Sequence, residues 1–307
     1  MSEKLEAMSP LADPVIGAIF DSVENAGLAA QSLIGSILAE DGVKIGKVIN
    51  VTPQRYYKEL PYMRGCRVDI LVESENNPKT LVEVQMSDEP IMARNIFEYA
   101  HTVVSSVNAG TDTAAVYLNV PKVIVINICD FTVRKTGNND FIQPVKQMYT
   151  KNPEVAQEYL NIYNVQLPNF RETEHDLTKP LHAWLFILDT ATREQITIKE
   201  VIKMYPELEK VVNTDPGIDQ FMIRYDNVTS DPDLRREYNM YMSEKFRISA
   251  IMNTQYDRGI EDGMREGKYE GKFEDARNFL NMGLTIEQVA KGTMLPVETI
   301  RKIQIQQ

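Results

Sequence analysis

Apolar residues near the start of the chain recur at the spacing of an α-helix. Ile16, Ile19 and Val23 follow one another in steps of three and four, and the same spacing returns from Leu33 onward. Such steps put side chains on one face of a helix. The pattern therefore predicts one or two amphipathic helices within residues 11–39.

A block of short runs rich in Val, Ile and Tyr follows, and each run is bounded by Gly, Asn or Pro. Such runs are typical of β-strands. Residues 90–108, between the third and the fourth run, have helical spacing and begin at a proline, which fits the first turn of a helix. Three strands, a crossover helix and further strands predict a mixed α/β sheet. The predicted strands are 48–57, 66–73, 80–86, 121–129, 141–149 and 159–167.

The last third of the chain has a helical pattern, and the predicted helices there are 180–188, 198–213 and 232–250. Glycine then recurs at every fourth position from Gly259 to Gly271, which places four small residues on one helical face. Each glycine costs a helix about 1 kcal/mol relative to alanine. This stripe therefore indicates either close packing against a partner helix or a weakly helical linker.

Short helices are predicted in residues 276–305, where Thr285 and Gln288 have the spacing of a capping box. This helical pair is either a helix-turn-helix that binds DNA or an oligomerisation element. The whole pattern predicts three parts, which are a core of residues 1–190, a helical extension of residues 191–255, and a glycine-spaced helix with the small helical pair in residues 256–307.

The net charge of −11 argues against a surface that is basic overall, which would be expected of a non-specific nucleic-acid binder. One segment differs, because residues 44–67 hold six basic residues and a single acid, Glu59. This segment is either a solvated loop and strand face or a patch that faces phosphate. Its basic residues are Lys44, Lys47, Arg55, Lys58, Arg64 and Arg67.

Cysteine usage and hydropathy indicate where the protein works. Cys66 and Cys129 have neither metal-ligand spacing nor a disulfide framework, which is typical of a reduced, intracellular protein. No apolar run approaches the roughly 18 residues of a membrane helix, and residues 1–14 lack the pattern of a signal peptide. We therefore expect a cytoplasmic protein that does not interact with a membrane.

Acidic side chains interrupt two apolar strands on either side of a short connection at residues 76–78. Asp69 lies in the first strand, and Glu83 and Gln85 share one face of the second because side chains alternate along a strand. A buried carboxylate is costly unless it is paired or bound to a metal. Asp69, Glu83 and the carbonyl of Val84 are oxygen ligands of the kind that Mg²⁺ binds. The pattern predicts a magnesium site in which the Gln85 amide orients a water molecule.

These motifs resemble the PD-(D/E)XK nuclease superfamily. The resemblance is closest to its transposase-like branch of recombination-promoting nucleases, the Rpn family, in which Glu-x-Gln replaces Glu-x-Lys. It covers most of the chain. The features that carry it are Arg67-Val-Asp69, Glu83-Val-Gln85, Arg94 with Tyr99 on the following helix, the segment from Leu181 to Ile187 that includes Trp184, and the glycine-spaced charged tail with its small helical pair.

The resemblance implies a restriction-endonuclease-like core in residues 1–190 and a C-terminal helical extension. It implies a metal-dependent endonuclease that hydrolyses DNA phosphodiester bonds and is linked to mobile elements or recombination. The expected catalytic residues are Asp69, Glu83 and Gln85, and the expected ligands of Mg²⁺, or of Mn²⁺ in its place, are Asp69, Glu83 and Val84. The alternative is a catalytically inactive nuclease-fold protein that acts as a DNA-binding or assembly module.

Members of the superfamily often carry a further acid on the first helix, and here Asp21 and Glu40 are both candidates. The expected partners are DNA and further copies of the chain, which would associate through the C-terminal helices. The residues expected to contact DNA are Lys58, Arg64, Arg67 and Arg94.

Overall fold

A computed structural model describes residues 7–57, 66–75, 79–86, 91–105, 120–133, 139–149, 151 and 159–305 of the chain. The chain divides into two compact units, Met1–Asn239 and Met240–Gln307. The sheet and the residues of the expected site lie in the first unit. The division into three parts at residues 190 and 255 stays a prediction.

The described residues contain six strands, which are β1 (Val48–Tyr57), β2 (Cys66–Ser74), β3 (Lys79–Gln85), β4 (Val123–Cys129), β5 (Ile142–Val145) and β6 (Leu160–Gln166). They form one sheet in the order β1-β2-β3-β4-β6-β5. The first three strands pair antiparallel as a meander, whereas β3, β4 and β6 run parallel, and β5 is antiparallel to β6. The predicted mixed α/β sheet is confirmed.

The described residues also contain eleven helices, which are α1 (Asp13–Ile19), α2 (Val23–Ala39), α3 (Ile91–Ser105), α4 (Leu167–Arg171), α5 (Pro180–Glu194), α6 (Ile198–Met204), α7 (Leu208–Thr214), α8 (Pro216–Thr229), α9 (Pro232–Asn281), α10 (Ile286–Thr293) and α11 (Val297–Ile305). The predicted helices on either side of the first three strands are confirmed. None of these described helices combines the length and the apolar character needed to cross a membrane.

Several predicted helical bounds were wrong. The helix predicted over 198–213 is two helices, because Tyr205 precedes a proline and leaves the helical conformation. The helix predicted to end at residue 250 continues to Asn281, since glycine weakens a helix without ending it. Helix α8 was not predicted, because Pro216-Gly217 has the composition of a turn. Here the proline fills the first turn, and the Asp215 carboxylate accepts the first backbone N–H groups.

The first unit is held together by a close crossing of α2 and α8. Gly217 lies at the contact, where an added Cβ would come within 2.4 Å of the Ser32 Cβ and within 2.5 Å of the Leu28 carbonyl oxygen. Ser32 donates a hydrogen bond to Asp215 at 2.6 Å, and the Trp184 indole N–H donates to the Ser32 hydroxyl at 2.8 Å. Trp184 is fully buried, so it belongs to the core.

The second unit contains the end of α9 and the predicted small helical pair, α10 and α11. Helix α9 ends in a Schellman motif, in which Gly283 has a φ of 84° and Leu284 N–H donates to the Phe279 carbonyl. The Thr285–Gln288 capping box is present, as predicted. A small apolar cluster joins the helices and consists of Ala276, Val289, Leu295, Ile300 and Ile303.

Candidate active site

The two predicted acids lie where strands β2 and β3 separate. The paired positions end with Ile70 opposite Val82. Past that point, the Asp69 N–H donates to Oε1 of Glu83 at 3.1 Å, and the Val84 N–H donates to Oδ2 of Asp69 at 2.9 Å. Each carboxylate therefore accepts a hydrogen bond from a backbone N–H group of the neighbouring strand. It takes the place of the backbone carbonyl that would accept this bond in a regular sheet.

The backbone of Val84 faces the same gap. The N–H and C=O groups of one residue point towards the same neighbouring strand, and the Val84 N–H is directed at Asp69. Its carbonyl oxygen therefore points to the side of the strand on which Asp69 lies. The predicted site residues Asp69, Glu83 and Val84 are thus brought together, and both carboxylates are buried.

Arg94 of α3 covers these acids. Its Nη2 donates to Oε2 of Glu83 at 2.9 Å, its Nη1 donates to Oε1 of Gln85 at 3.0 Å, and its Nε donates to Oε1 of Glu98 at 2.6 Å. The Arg94 side chain is one-third exposed (33 %), whereas Glu83 and Glu98 are buried. One guanidinium thus bridges the strand that carries Glu83 and the helix above it.

Among the described side chains of the site, acids outnumber bases. Burial raises the pKa of Glu83 well above its usual range, the carboxylates of Asp69 and Glu98 raise it further, and Arg94 opposes the shift. Burial lowers the pKa of Arg94, but the surrounding acids, with Glu83 first among them, outweigh burial and raise it above its ordinary value. Since Arg94 is the only base among these described groups, the site favours binding of a further cation.

A row of polar side chains extends from Glu83 across the sheet. Asn127 of β4 lies in register with Glu83, and Asn164 of β6 lies in register with Asn127. The side-chain amide Nδ2 of Asn127 donates to the side-chain oxygen Oδ1 of Asn164 at 2.8 Å, and all three residues are buried. The row lies towards the carboxyl ends of the parallel strands, which is where open α/β sheets bind ligands.

Gln85 lies one step further along β3 than this row. Its Oε1 accepts from Arg94, whereas its buried Nε2 has no hydrogen-bond partner within the part of the chain that the structure describes. A buried amide donor without a partner is costly. This donor is therefore available to a water molecule or a phosphate oxygen.

The other predicted residues are not at this site, or their side chains are not described. Asp21 forms an ion pair with Arg224. Glu40 is the C-cap residue of α2, and its charge opposes the lowering of the His182 pKa by burial. Neither acid is among the charged groups that shift the pKa of Glu83. Two of the residues expected to contact DNA, Lys58 and Arg64, lie outside the described residues, and for a third, Arg67, only the backbone in β2 is described.

The sequence reasoning missed Glu98, which is the acid that the structure brings close to Glu83. The spacing of Asn95, Glu98 and Thr102 would have revealed it, because polar residues in steps of three and four share one helical face. These three side chains are buried against the sheet, whereas the apolar Met92 and Ile96 are about half exposed. The buried face of α3 is therefore the polar one.

The donors fit a divalent cation. Magnesium takes one or two carboxylates with waters and substrate phosphate, and Asp69, Glu83 and the Val84 carbonyl meet that requirement. Within the described residues, no group of three or more His, Cys, Asp or Glu side chains is arranged to hold a metal ion. A divalent cation at this point would therefore be held by two carboxylates and a backbone oxygen.

The mixed sheet with an acid on each of two neighbouring strands defines a restriction-endonuclease-like core with C-terminal helices. A sequence model of the PD-(D/E)XK nuclease family transposases matches residues 12–255. The chain belongs to this family, and its function is therefore related to nucleases and transposases. No curated protein and no solved structure matches the chain. The Rpn branch and the Glu-x-Gln signature stay predictions.

Proposed function

We propose that the protein is a divalent-metal-dependent DNA endonuclease, with Mg²⁺ as the expected ion and Mn²⁺ as a substitute. The observation that carries this proposal is the buried carboxylate pair at the point where β2 and β3 separate. Asp69, Glu83 and the Val84 carbonyl would hold the ion. A bound divalent ion supplies a water of lowered pKa and stabilises charge on the phosphate.

The chain's own groups would position the reactants. Gln85 follows Glu83 on the same face of β3, and its buried Nε2 is suited to holding the attacking water in place. Glutamine does not donate a proton as lysine does, so its contribution is orientation. The basic residues Lys58, Arg64 and Arg67 would bind phosphates beside the site. In this proposal Arg94 is a further phosphate contact.

Metal-dependent nicking of supercoiled plasmid tests this function. We expect wild-type protein to nick DNA with Mg²⁺ or Mn²⁺ and to stop in EDTA. Asp69→Asn should lose at least about a hundredfold of the activity, because a neutral amide is a poor ligand. Asp189→Asn is the matched control, since Asp189 is as buried as Asp69 but pairs with Arg171, and it should still cut.

The alternative function is an inactive nuclease fold that binds DNA or assembles with partners. One observation favours it, which is that the Arg94 guanidinium already occupies Oε2 of Glu83. An inactive protein would neither cut nor gain thermal stability from Mn²⁺. Activity that persists in Asp69→Asn, with normal metal dependence, would contradict the proposed ligand set.

We also propose that the protein self-associates through the exposed part of α9. Met252, Tyr256, Ile260 and Met264 recur at every fourth position and are exposed, beside the glycine stripe from Gly259 to Gly271. No atom of the described residues lies within 4 Å of a Cβ added at these glycines. A ridge of large side chains next to a glycine groove suits a second copy, whose ridge fits the groove of the first and vice versa.

Gly263→Leu should turn a dimer into a monomer. The new side chain fills the groove, while the helix itself gains about 1 kcal/mol of intrinsic propensity, so loss of the dimer does not reflect unfolding. The measurement is molar mass by analytical ultracentrifugation, with Glu261→Ala on the charged face as the control. A monomeric wild type at micromolar concentration, or a Gly263→Leu variant that stays dimeric, would overturn this interface.

A further inference from the structure

Within the described residues, Arg94 donates hydrogen bonds to three side chains at once. Each of its guanidinium nitrogens donates to a different one of them, and these acceptors are Glu83, Gln85 and Glu98. All three acceptors are buried. A guanidinium has a rigid set of donors, so this arrangement holds the two strand residues and the helix residue in one geometry.

The guanidinium and a metal ion need the same carboxylate. Both oxygens of Glu83 accept a hydrogen bond, Oε1 from the Asp69 N–H and Oε2 from Arg94. A magnesium ion binds its oxygens at about 2.0–2.1 Å, so an ion on Glu83 would lie next to the guanidinium, and the two positive charges would repel each other. The guanidinium and a divalent cation therefore compete for Glu83, and the ion binds most tightly when Arg94 releases that carboxylate.

The position of Arg94 allows that release. Its side chain is partly exposed, whereas Glu83 and Glu98 are buried. An exposed arginine regains water when it leaves a carboxylate, so its departure costs less than that of a fully buried cation. The charge of the incoming ion would then neutralise Asp69 and Glu83, whereas Glu98 would lose its hydrogen bond from Arg94.

We propose that Arg94 is a latch, which closes the metal site in the ion-free protein and competes with the divalent cation for Glu83. This inference rests on the proposed metal-dependent function and adds its regulation. It makes Arg94 a positioning residue whose first effect is on metal affinity. Loosening the latch should therefore strengthen metal binding, whereas removing a residue that supports a metal ligand should weaken it.

The test is titration of MnCl₂ into the full-length protein by isothermal calorimetry, without DNA. Arg94→Met removes the competing cation, and we expect it to bind Mn²⁺ roughly ten- to a hundredfold more tightly than wild type, which corresponds to the loss of one charged hydrogen bond. Arg94→Lys keeps the charge but cannot bridge three acceptors, so it should show a smaller gain and should fold even if Arg94→Met does not. Arg224→Met is the control, since Arg224 is similarly exposed and pairs with Asp21.

The outcomes separate the latch from the function. Tighter binding in either Arg94 variant, with Arg224→Met unchanged, supports the latch, including the case in which wild type binds too weakly to measure. Equal or weaker binding in both Arg94 variants, while wild type binds Mn²⁺ and cuts DNA, overturns the latch and leaves the nuclease intact. Absence of Mn²⁺ binding in wild type and in both Arg94 variants, together with absence of cutting, overturns the nuclease and the latch with it.

Discussion

Exchanging Glu83 for glutamine is expected to reduce metal-dependent DNA cleavage by about a thousandfold, since a bound metal contributes several kcal/mol to such reactions and each 1.4 kcal/mol is a factor of ten. Glutamine has the shape of glutamate and lacks its charge. It therefore leaves the site intact as a packed structure while it removes the ligand that both Arg94 and the ion require.

The same exchange should leave the free energy of unfolding within about 1 kcal/mol of the wild type. Burial and the neighbouring Asp69 and Glu98 raise the pKa of Glu83, so its ionised form is disfavoured in the folded protein. A neutral amide avoids that cost, and its oxygen still accepts the Asp69 N–H. These gains offset the loss of the ion pair with Arg94.

Two measurements on one sample check this prediction, namely plasmid nicking with Mn²⁺ and chemical denaturation in EDTA. The Asp189→Asn control should show the reverse pattern, with activity kept and stability lowered, because its partner Arg171 loses a close ion pair. A Glu83→Gln protein that is active would remove Glu83 from the ligand set. One that is strongly destabilised would show that the ion pair with Arg94 outweighs the burial of charge.

Gly217→Ala is expected to lower the free energy of unfolding by about 3 kcal/mol, at the upper end of what overpacking usually costs. The added Cβ would lie 2.4 Å from the Ser32 Cβ and 2.5 Å from a backbone oxygen of α2. Neither atom is the flexible end of a side chain, so the two helices must move apart. That movement also lengthens and weakens the hydrogen bonds that join Ser32 to Asp215 and to Trp184.

The melting temperature should fall by roughly 6–12 °C, given 2–4 °C for each kcal/mol in a domain of this size. Gly35→Ala in α2 is the matched control. Among the described residues, a Cβ there meets the Ile45 Cγ2 alone, at 3.3 Å, and the gain in helix propensity compensates for a small shift. If both variants have the same melting temperature as the wild type, the α2–α8 contact is looser than the structure shows.

The sequence predicted the sheet well because its strands are buried runs bounded by turn residues. Strands β3, β4 and β6 are buried on both faces almost throughout, which is typical of parallel strands covered by helices. Helix α8 was not predicted because its first two residues, Pro216-Gly217, are a pair that is common in turns. Its glycine is needed for the approach of α2, a contact between residues distant in sequence that local patterns do not contain.

The site was predictable only in part. Period-two alternation placed Glu83 and Gln85 on one face, and the apolar surroundings of Asp69 indicated a buried carboxylate. The partnership of Arg94 with Glu83 depends on how α3 crosses the sheet, which no local spacing determines. The choice of Asp21 or Glu40 as a further acid relied on resemblance alone, whereas Glu98 had a signal in the polar face of its helix.

Asp69 and Glu83 each accept a hydrogen bond from a backbone N–H group of the other's strand, and these bonds give both acids a structural reason to be conserved, apart from catalysis. Each completes the backbone of the opposite strand, so a chain that had lost its cleavage activity would still lose stability on replacing either by an apolar residue. Retention of both acids among relatives is therefore weak evidence of catalysis. Substitution of Gln85 and of the basic residues of 44–67 would be a better indicator that a family member has lost its cleavage activity and serves a structural role.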